Sequence, residues 1–125
     1  MTGRGSPYHA HVYYEPAERG AADTLRRFFD ADPTILFVGP LADAPVGPHP
    51  VAQFEVHFLE DAVPEVRRAI EESGLRGLVH PLTHDDLADH TTLAQWIGEP
   101  LELDTTVLDP PGHNQGMARF GRSDR

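Results

Sequence analysis

The chain has 125 residues, 39% of them hydrophobic, and its 10 basic against 20 acidic residues give a formal net charge of −10. This length suits one domain, and the charge argues against nucleic acid and anionic membrane surfaces as partners. The absence of cysteine excludes disulfides, zinc–thiolate sites and thiol nucleophiles. The sequence has no apolar run near the roughly 20 residues of a membrane span and no signal-peptide pattern at its N-terminus. A cytoplasmic protein is therefore expected.

The first segments of the chain predict a flexible lead, a strand and a helix. Residues 1–7 are small and polar, and we expect them to be flexible. Residues 8–14 are rich in aromatic and β-branched positions and alternate in polarity, which predicts a strand. Residues 15–30 predict a helix. Its apolar stripe is expected to contain Ala21, Leu25, Phe28 and Phe29.

The next segments complete two strand–helix units. Residues 34–38 and 51–59 predict the second and third strands. The connection between them, residues 39–50, holds four prolines, which restrict φ and remove backbone donors. We therefore expect an ordered loop there. Residues 60–73 predict a second helix and residues 76–82 a fourth strand.

The order βαββαβ is typical of a ferredoxin-like α+β sandwich, in which helices cover one face of an antiparallel sheet. The expected strand order is 4-1-3-2. Residues 84–97 predict a C-terminal helix, and residues 99–108 a short extended segment that could add a fifth strand. We expect residues 8–108 to form one domain. Residues 109–125 contain little apolar material and are expected to form a mobile tail or to clasp a partner subunit.

Side chains alternate between the two faces of each predicted strand, so the sheet should have an apolar face under the helices and a polar, uncovered face. The apolar set is expected to be Tyr8, Ala10, Val12, Phe54, Val56, Phe58 and Leu78. The polar set is expected to be His9, His11, Glu55 and His57, with His80 near the end of strand four. Three neighbouring strands would then bring imidazoles and a carboxylate to one patch. This is the donor set of a non-haem Fe(II) site with open positions.

Eight histidines is a high count for this length, yet each position also has an ordinary explanation. A His-x-His pair or one Glu on a strand is often a solvated polar face. His80, followed by Pro81, could close a loop as well as bind a metal. His49, in the proline-rich loop, and His90, in the last helix, could each act at the site, as an acid/base or substrate-binding group. They could equally be loop-bound and surface residues.

Several ordered segments resemble the DOPA 4,5-dioxygenase family. They are YHAHVY at residues 8–13, PVGPHP at 45–50 with FEV at 54–56, HPLT at 80–83, DDLADH at 85–90 and WIG at 96–98. The resemblance extends over about residues 8–104. It implies a dioxygenase domain that opens a catechol such as L-DOPA by extradiol cleavage, using Fe(II) and O₂. The family's histidine positions fall on His9, His11, His49, His80 and His90, whereas His57 lies outside the pattern.

The mechanism expected from this resemblance uses two groups of side chains. His11 and His80, with Glu55 or His9, would hold Fe(II), and His49 or His90 would act as acid/base toward the catechol. Tyr13 could contact the substrate.

Two other hypotheses remain open from the sequence. The chain could be a non-enzymatic ferredoxin-like module that forms a homodimer through its open sheet face, since this fold does not imply chemistry. It could also be another metal-dependent enzyme, such as an isomerase or hydrolase. A homodimer is expected for the dioxygenase as well, because an uncovered sheet face needs a partner layer.

Overall fold

One antiparallel sheet of five strands, in the order β2-β3-β1-β4-β5, organises the described part of the chain. The structure is a computed structural model that describes residues 5–121, without the side chains of residues 118 and 119. The strands are β1 (Pro7–Tyr13), β2 (Ile35–Val38), β3 (Gln53–Leu59), β4 (Arg76–Pro81) and β5 (Gln95–Ile97). The helices are α1 (Arg19–Asp30), α2 (Val63–Ser73), α3 (Asp86–His90) and α4 (Gln115–Arg119).

The predicted βαββαβ order and the strand order 4-1-3-2 are confirmed. Strand β1 is central, and its residues from Tyr8 to Tyr13 pair with both β3 and β4. Helices α1 and α2 contribute to the core on one face of the sheet. That core contains Ala10, Val12, Ala22, Leu25, Phe29, Phe54, Val56, Phe58, Val66, Ile70 and Val79.

The prediction that Leu78 faces the helices is wrong. Leu78 pairs with His11 across the sheet, and it lies two residues before His80 on β4. Because side chains alternate along a strand, Leu78 shares a face with His80. Val79 joins the helix-covered core instead. Gly77, also on that side, lies so close to α2 that an added Cβ would come within 3.0 Å of Ile70 Cγ2.

The predicted apolar stripe of the first helix is only partly correct. Leu25 and Phe29 are buried together with Ala22, whereas Ala21 is exposed and Phe28 is 58% exposed. Both the 21–25–28 and the 22–25–29 spacings follow the helical period. Packing against the sheet selects the second set.

The region after β4 also differs from prediction. The predicted helix over residues 84–97 is shortened to α3 and is followed by β5, which pairs with β4. Thr91 ends α3, because its backbone (φ −127°, ψ −85°) has left the helical region. A fifth strand therefore exists, but within residues 84–97 rather than 99–108. Residues 99–108 contain a short 3₁₀ turn, Thr105–Val107.

None of the described helices is long and apolar enough to cross a membrane. The predicted domain limits, and the predicted flexibility of residues 1–7 and 109–125, remain predictions. Residues 1–4 and 122–125 lie outside the described residues.

The two neighbouring phenylalanines of α1 offer a direct test of the helix orientation. Phe29 is 1% exposed and Phe28 is 58% exposed. We expect Phe29→Ala to lower the free energy of unfolding by about 3–5 kcal/mol. Phe28→Ala should change it by less than about 0.5 kcal/mol. Urea denaturation measures both variants, and equal losses would contradict the packing described here.

Candidate metal centre

The sheet face opposite α1 and α2 carries the histidines, and the chain's own segments cover it. The expectation of an uncovered face is therefore wrong. His9, His11, Glu55 and His80 are all less than 9% exposed. The loop that carries His49, the helix α3 and residues 107–116 lie over them and border a cavity of about 310 Å³ that is open to solvent on one side.

Three predicted residues, His9, His11 and His80, meet at the centre of this face. His9 pairs directly with His80 between β1 and β4, and His11 follows on the same face of β1. One ring nitrogen of each lies within 4.8 Å of the others. His11 Nε2 is 3.0 Å from His80 Nε2. Two nitrogen ligands bound about 2.1 Å from one metal ion lie about 3.0–3.4 Å apart, so this separation suits a shared ion.

The hydrogen bonds at the far sides of these rings fix which nitrogen is free. The Nδ1–H of His11 donates to Gln53 Oε1 at 3.0 Å, and the Nδ1–H of His80 donates to the carbonyl of Pro81 at 2.8 Å. In the neutral rings, both facing Nε2 atoms therefore carry lone pairs. His9 Nε2 is also buried, and no described residue offers it a hydrogen bond. Two facing lone pairs and a third buried ring nitrogen without a hydrogen-bond partner fit a divalent cation.

The electrostatics of His9, His11 and His80, which we call the trio, favour neutral imidazole rings. Burial, and after it the neighbouring histidines, lowers the pKa of His9, His11 and His80 well below the usual value. A histidine must be neutral to bind a metal ion. The site therefore holds its nitrogens in the ligating form at neutral pH.

His49 and His90 form a second group with His11, again with donor atoms within 4.8 Å of one another. A tight turn holds His49, because its backbone exchanges hydrogen bonds with Val46 across Gly47, whose φ of 56° suits glycine. The ring of His49 bonds through Nδ1 to the Tyr13 hydroxyl at 2.7 Å. The sequence suggested that Tyr13 could contact the substrate, and this stays a prediction; in the structure its hydroxyl bonds to His49.

His90 is held by the residue one helical turn before it. Its Nδ1–H donates to the backbone carbonyl of Asp86 at 2.9 Å and lies 3.3 Å from that residue's carboxylate. Burial, the largest influence, lowers the pKa of His90, but the hydrogen bonds and charge of Asp86 outweigh it and raise the pKa. His90 is thus suited to exchange a proton near neutral pH.

Glu55 belongs to a third group, with His9 and His57. The Glu55 carboxylate lies 4.0 Å from Nδ1 of His9 and 3.8 Å from Nδ1 of His11. It therefore faces the sides of these rings that point away from the His11–His80 contact. The predicted role of Glu55 as a ligand stays a prediction.

His57 is fully buried at the site, although it lies outside the resemblance pattern. The backbone N–H of Gly121 donates to its Nδ1 at 2.9 Å, so the ring proton is on Nε2. That Nε2–H donates to the Glu55 carboxylate at 2.6 Å. Both ring nitrogens of His57 are engaged, and it orients Glu55. Phe120 stacks on the ring, with centroids 5.5 Å apart.

Several residues at the site were not singled out by sequence reasoning. Gln53 shares the polar face of β3 with Glu55, and Asp86 precedes His90 by one helical turn, so periodicity offered a signal for both. Asn114 gave none. Its side chain donates to the carbonyl of Thr83 at 2.7 Å and to Asp89 at 3.0 Å, across contacts that only the folded chain creates.

The model of the Dopa 4,5-dioxygenase family matches residues 8–107. The chain belongs to this family. The match contains the six residues predicted for the site: His9, His11, His49, Glu55, His80 and His90. It ends before residues 108–116, several of which also line the cavity.

Similar proteins include two that are described as dioxygenases and one that is uncharacterized. A crystal structure of a proposed dioxygenase from Nostoc punctiforme aligns with a TM-score of 0.74 and 34% identity, covering 86% of this chain and 94% of that one. A DOPA 4,5-dioxygenase from Amanita muscaria is 35% identical over 66 residues, covering 51% of this chain and 29% of that protein. An uncharacterized 21.2 kDa protein from Botryotinia fuckeliana is 39% identical over 79 residues, covering 53% of this chain and 42% of that protein. The chain thus spans less than half the length of these two curated relatives.

The lowered pKa values predict how the stability of the metal-free protein depends on pH. The unfolded chain protonates its histidines below pH about 6.5, whereas folding keeps His9, His11 and His80 neutral. The contribution of these three histidines to the free energy of unfolding is therefore fully present above that pH. Below it, the free energy of unfolding falls by about 1.4 kcal/mol per pH unit for each proton that only the unfolded chain binds. The raised pKa of His90 acts in the opposite sense but is one group against three.

Urea denaturation of the metal-free protein between pH 7.5 and pH 5 measures this dependence. The exposed residues His84 and His113 provide a control, because replacing both with Ala should leave the slope unchanged. A free energy of unfolding that stays constant or rises toward pH 5 would contradict the conclusion that these three histidines are neutral in the folded protein.

Proposed function

We propose that this chain is a non-haem Fe(II) extradiol dioxygenase that opens the ring of a catechol such as L-DOPA with O₂. Membership of the Dopa 4,5-dioxygenase family supports the reaction class. The observation that carries the proposal is the meeting of three buried imidazoles, in which the facing Nε2 atoms of His11 and His80 carry lone pairs and His9 Nε2 has no hydrogen-bond partner among the described residues.

His9, His11 and His80 would hold the iron. A bound Fe(II) would supply the redox chemistry that lets O₂ react with a catechol. The polar partners of the rings, Gln53 and the Pro81 carbonyl, orient His11 and His80. We infer that Glu55 balances the charge of the site from behind His9 and His11, because its oxygens lie 3.8–4.0 Å from their Nδ1 atoms.

His90 and His49 would handle the protons of the catechol. His90 would accept a hydroxyl proton when the catechol binds, since Asp86 stabilises the protonated ring. Burial raises the pKa of Tyr13, so its phenol keeps its proton and can donate to Nδ1 of His49. The proton of a neutral His49 is then on Nε2, from which it can be given to a substrate oxygen.

Substituting a proposed ligand should remove the metal and the activity together. We expect His11→Ala and His80→Ala to bind less than about a tenth of the wild-type iron after anaerobic loading, because each removes one of three ligands. Ring opening, followed as a yellow product at visible wavelengths, should fall by a similar factor or more. His84→Ala, at an exposed position, is the matched control and should keep both. Full ring opening in either ligand variant would overturn the assignment.

Substituting a proposed acid/base should separate activity from metal binding. We expect His49→Gln and His90→Gln to keep the wild-type iron content while kcat falls roughly 10²–10⁴-fold, as is usual when a proton-transfer group is lost. Metal analysis and steady-state kinetics on the same samples measure both quantities. If a variant keeps the wild-type kcat, the substituted residue has no role in proton transfer.

The predicted homodimer stays a prediction, and its original basis has changed. The open sheet face from which it was inferred is buried under the chain's own segments. The same observation weakens the alternative of a non-enzymatic module that dimerises through that face.

A further inference from the structure

The cavity above the trio has one wall that the family match does not include. The family model ends at residue 107, yet the cavity is also lined by Leu108, Asp109, Asn114, Gln115 and Gly116. We refer to residues 108–116 as the C-terminal wall. The histidines supply the part of the site within the family match, and this wall supplies a part outside it.

The wall is fixed to the site by partly buried hydrogen bonds. The backbone N–H of Asp109 donates to the Asp86 carboxylate at 2.9 Å. The Asn114 amide donates to Asp89, which is fully buried, at 3.0 Å. Asp86 and Asp89 both belong to α3, the helix that carries His90. The wall and one proposed acid/base residue are therefore held by the same short helix.

Gly116 places the wall next to one of the proposed ligands. A Cβ added at this position would lie 3.8 Å from Cε1 of His9, 3.4 Å from Cδ2 of Leu82 and 3.1 Å from Oδ1 of Asn114. His9 and Leu82 both line the cavity. A methyl group here would fill space beside His9 and Leu82 at ordinary van der Waals distances, and Asn114 Oδ1 would have to move by a few tenths of an ångström. The glycine therefore leaves that space free for a substrate.

The small volume of the cavity makes the position of Gly116 important for what can bind there. A volume of about 310 Å³ is at the small end for sites that bind small molecules. A ring bound beside the trio would leave little room for a substituent, and the wall lies where that room ends. We propose that the C-terminal wall sets which catechols this protein accepts, by limiting the size of the ring substituent, with Gly116 and Leu108 as specificity-determining positions. This inference rests on the proposed function.

Two variants of opposite effect test the inference. Gly116→Ala narrows the cavity, and Leu108→Ala widens it at a half-buried wall residue. Gly20→Ala is the matched control, because an added Cβ there meets nothing within 4 Å. For each protein, kcat/KM is measured with unsubstituted catechol and with L-DOPA, and anaerobic titration of the iron-loaded protein gives the Kd of each compound.

We expect Gly116→Ala to lower the ratio of kcat/KM for L-DOPA to that for catechol roughly tenfold, and Leu108→Ala to raise it by a similar factor, as is typical for one or a few methyl groups in a binding site. The Kd ratios should move in the same direction, and the control should match wild type. If both variants open the ring with normal iron content and their ratios lie within about twofold of wild type, the inference is overturned. The proposed function would then still stand. If the wild-type protein opens neither compound, the proposed function fails and the inference fails with it.

Discussion

The structure depends on strand β1, which pairs on both sides and faces two different environments. Its even-numbered residues Ala10 and Val12 are fully buried in the core under α1 and α2. Its odd-numbered residues His9 and His11 point to the other face and begin the candidate metal centre. Because the side-chain period of a strand is two, a slip of one residue would move the histidines into the core and the core residues into the site. Pairing with β3 and β4 on both sides opposes such a slip.

A central strand explains why the imidazoles are close together and also why they lack partners. The neighbouring strand β4 brings His80 opposite His9, and the proline-rich loop, α3 and the C-terminal wall cover the group. Buried donors and acceptors normally find hydrogen-bond partners. Here the available partners, Gln53 and Pro81, engage only the Nδ1 atoms of His11 and His80. The remaining Nε2 atoms are directed at one another, which is costly without a cation and favourable with one.

The fold and the centre of the site could be predicted because both follow from alternation and element order. Strand alternation and strand order bring His9, His11 and His80 together, and the positions of His49 and His90 make them candidates that the family resemblance supports. Leu78 was assigned to the wrong face although its distance of two residues from His80 contained the answer. The burial of the site could not be predicted, since it depends on Asn114 and Gly121, whose contacts reach 31 and 64 residues back along the chain. The choice of Phe29 over Phe28 likewise depends on packing that either helical register would allow.

The central claim is that three neutral imidazoles form a site for one divalent metal ion. Anaerobic calorimetric titration of the metal-free wild-type protein with Fe(II) tests it most directly. We expect saturable binding of one ion per chain that weakens only when the pH falls well below the usual histidine pKa of about 6.5, because burial lowers the pKa of the three ligands and protons must compete with the metal ion for them. Binding that does not saturate, or that saturates well below one ion per chain at neutral pH, would contradict it.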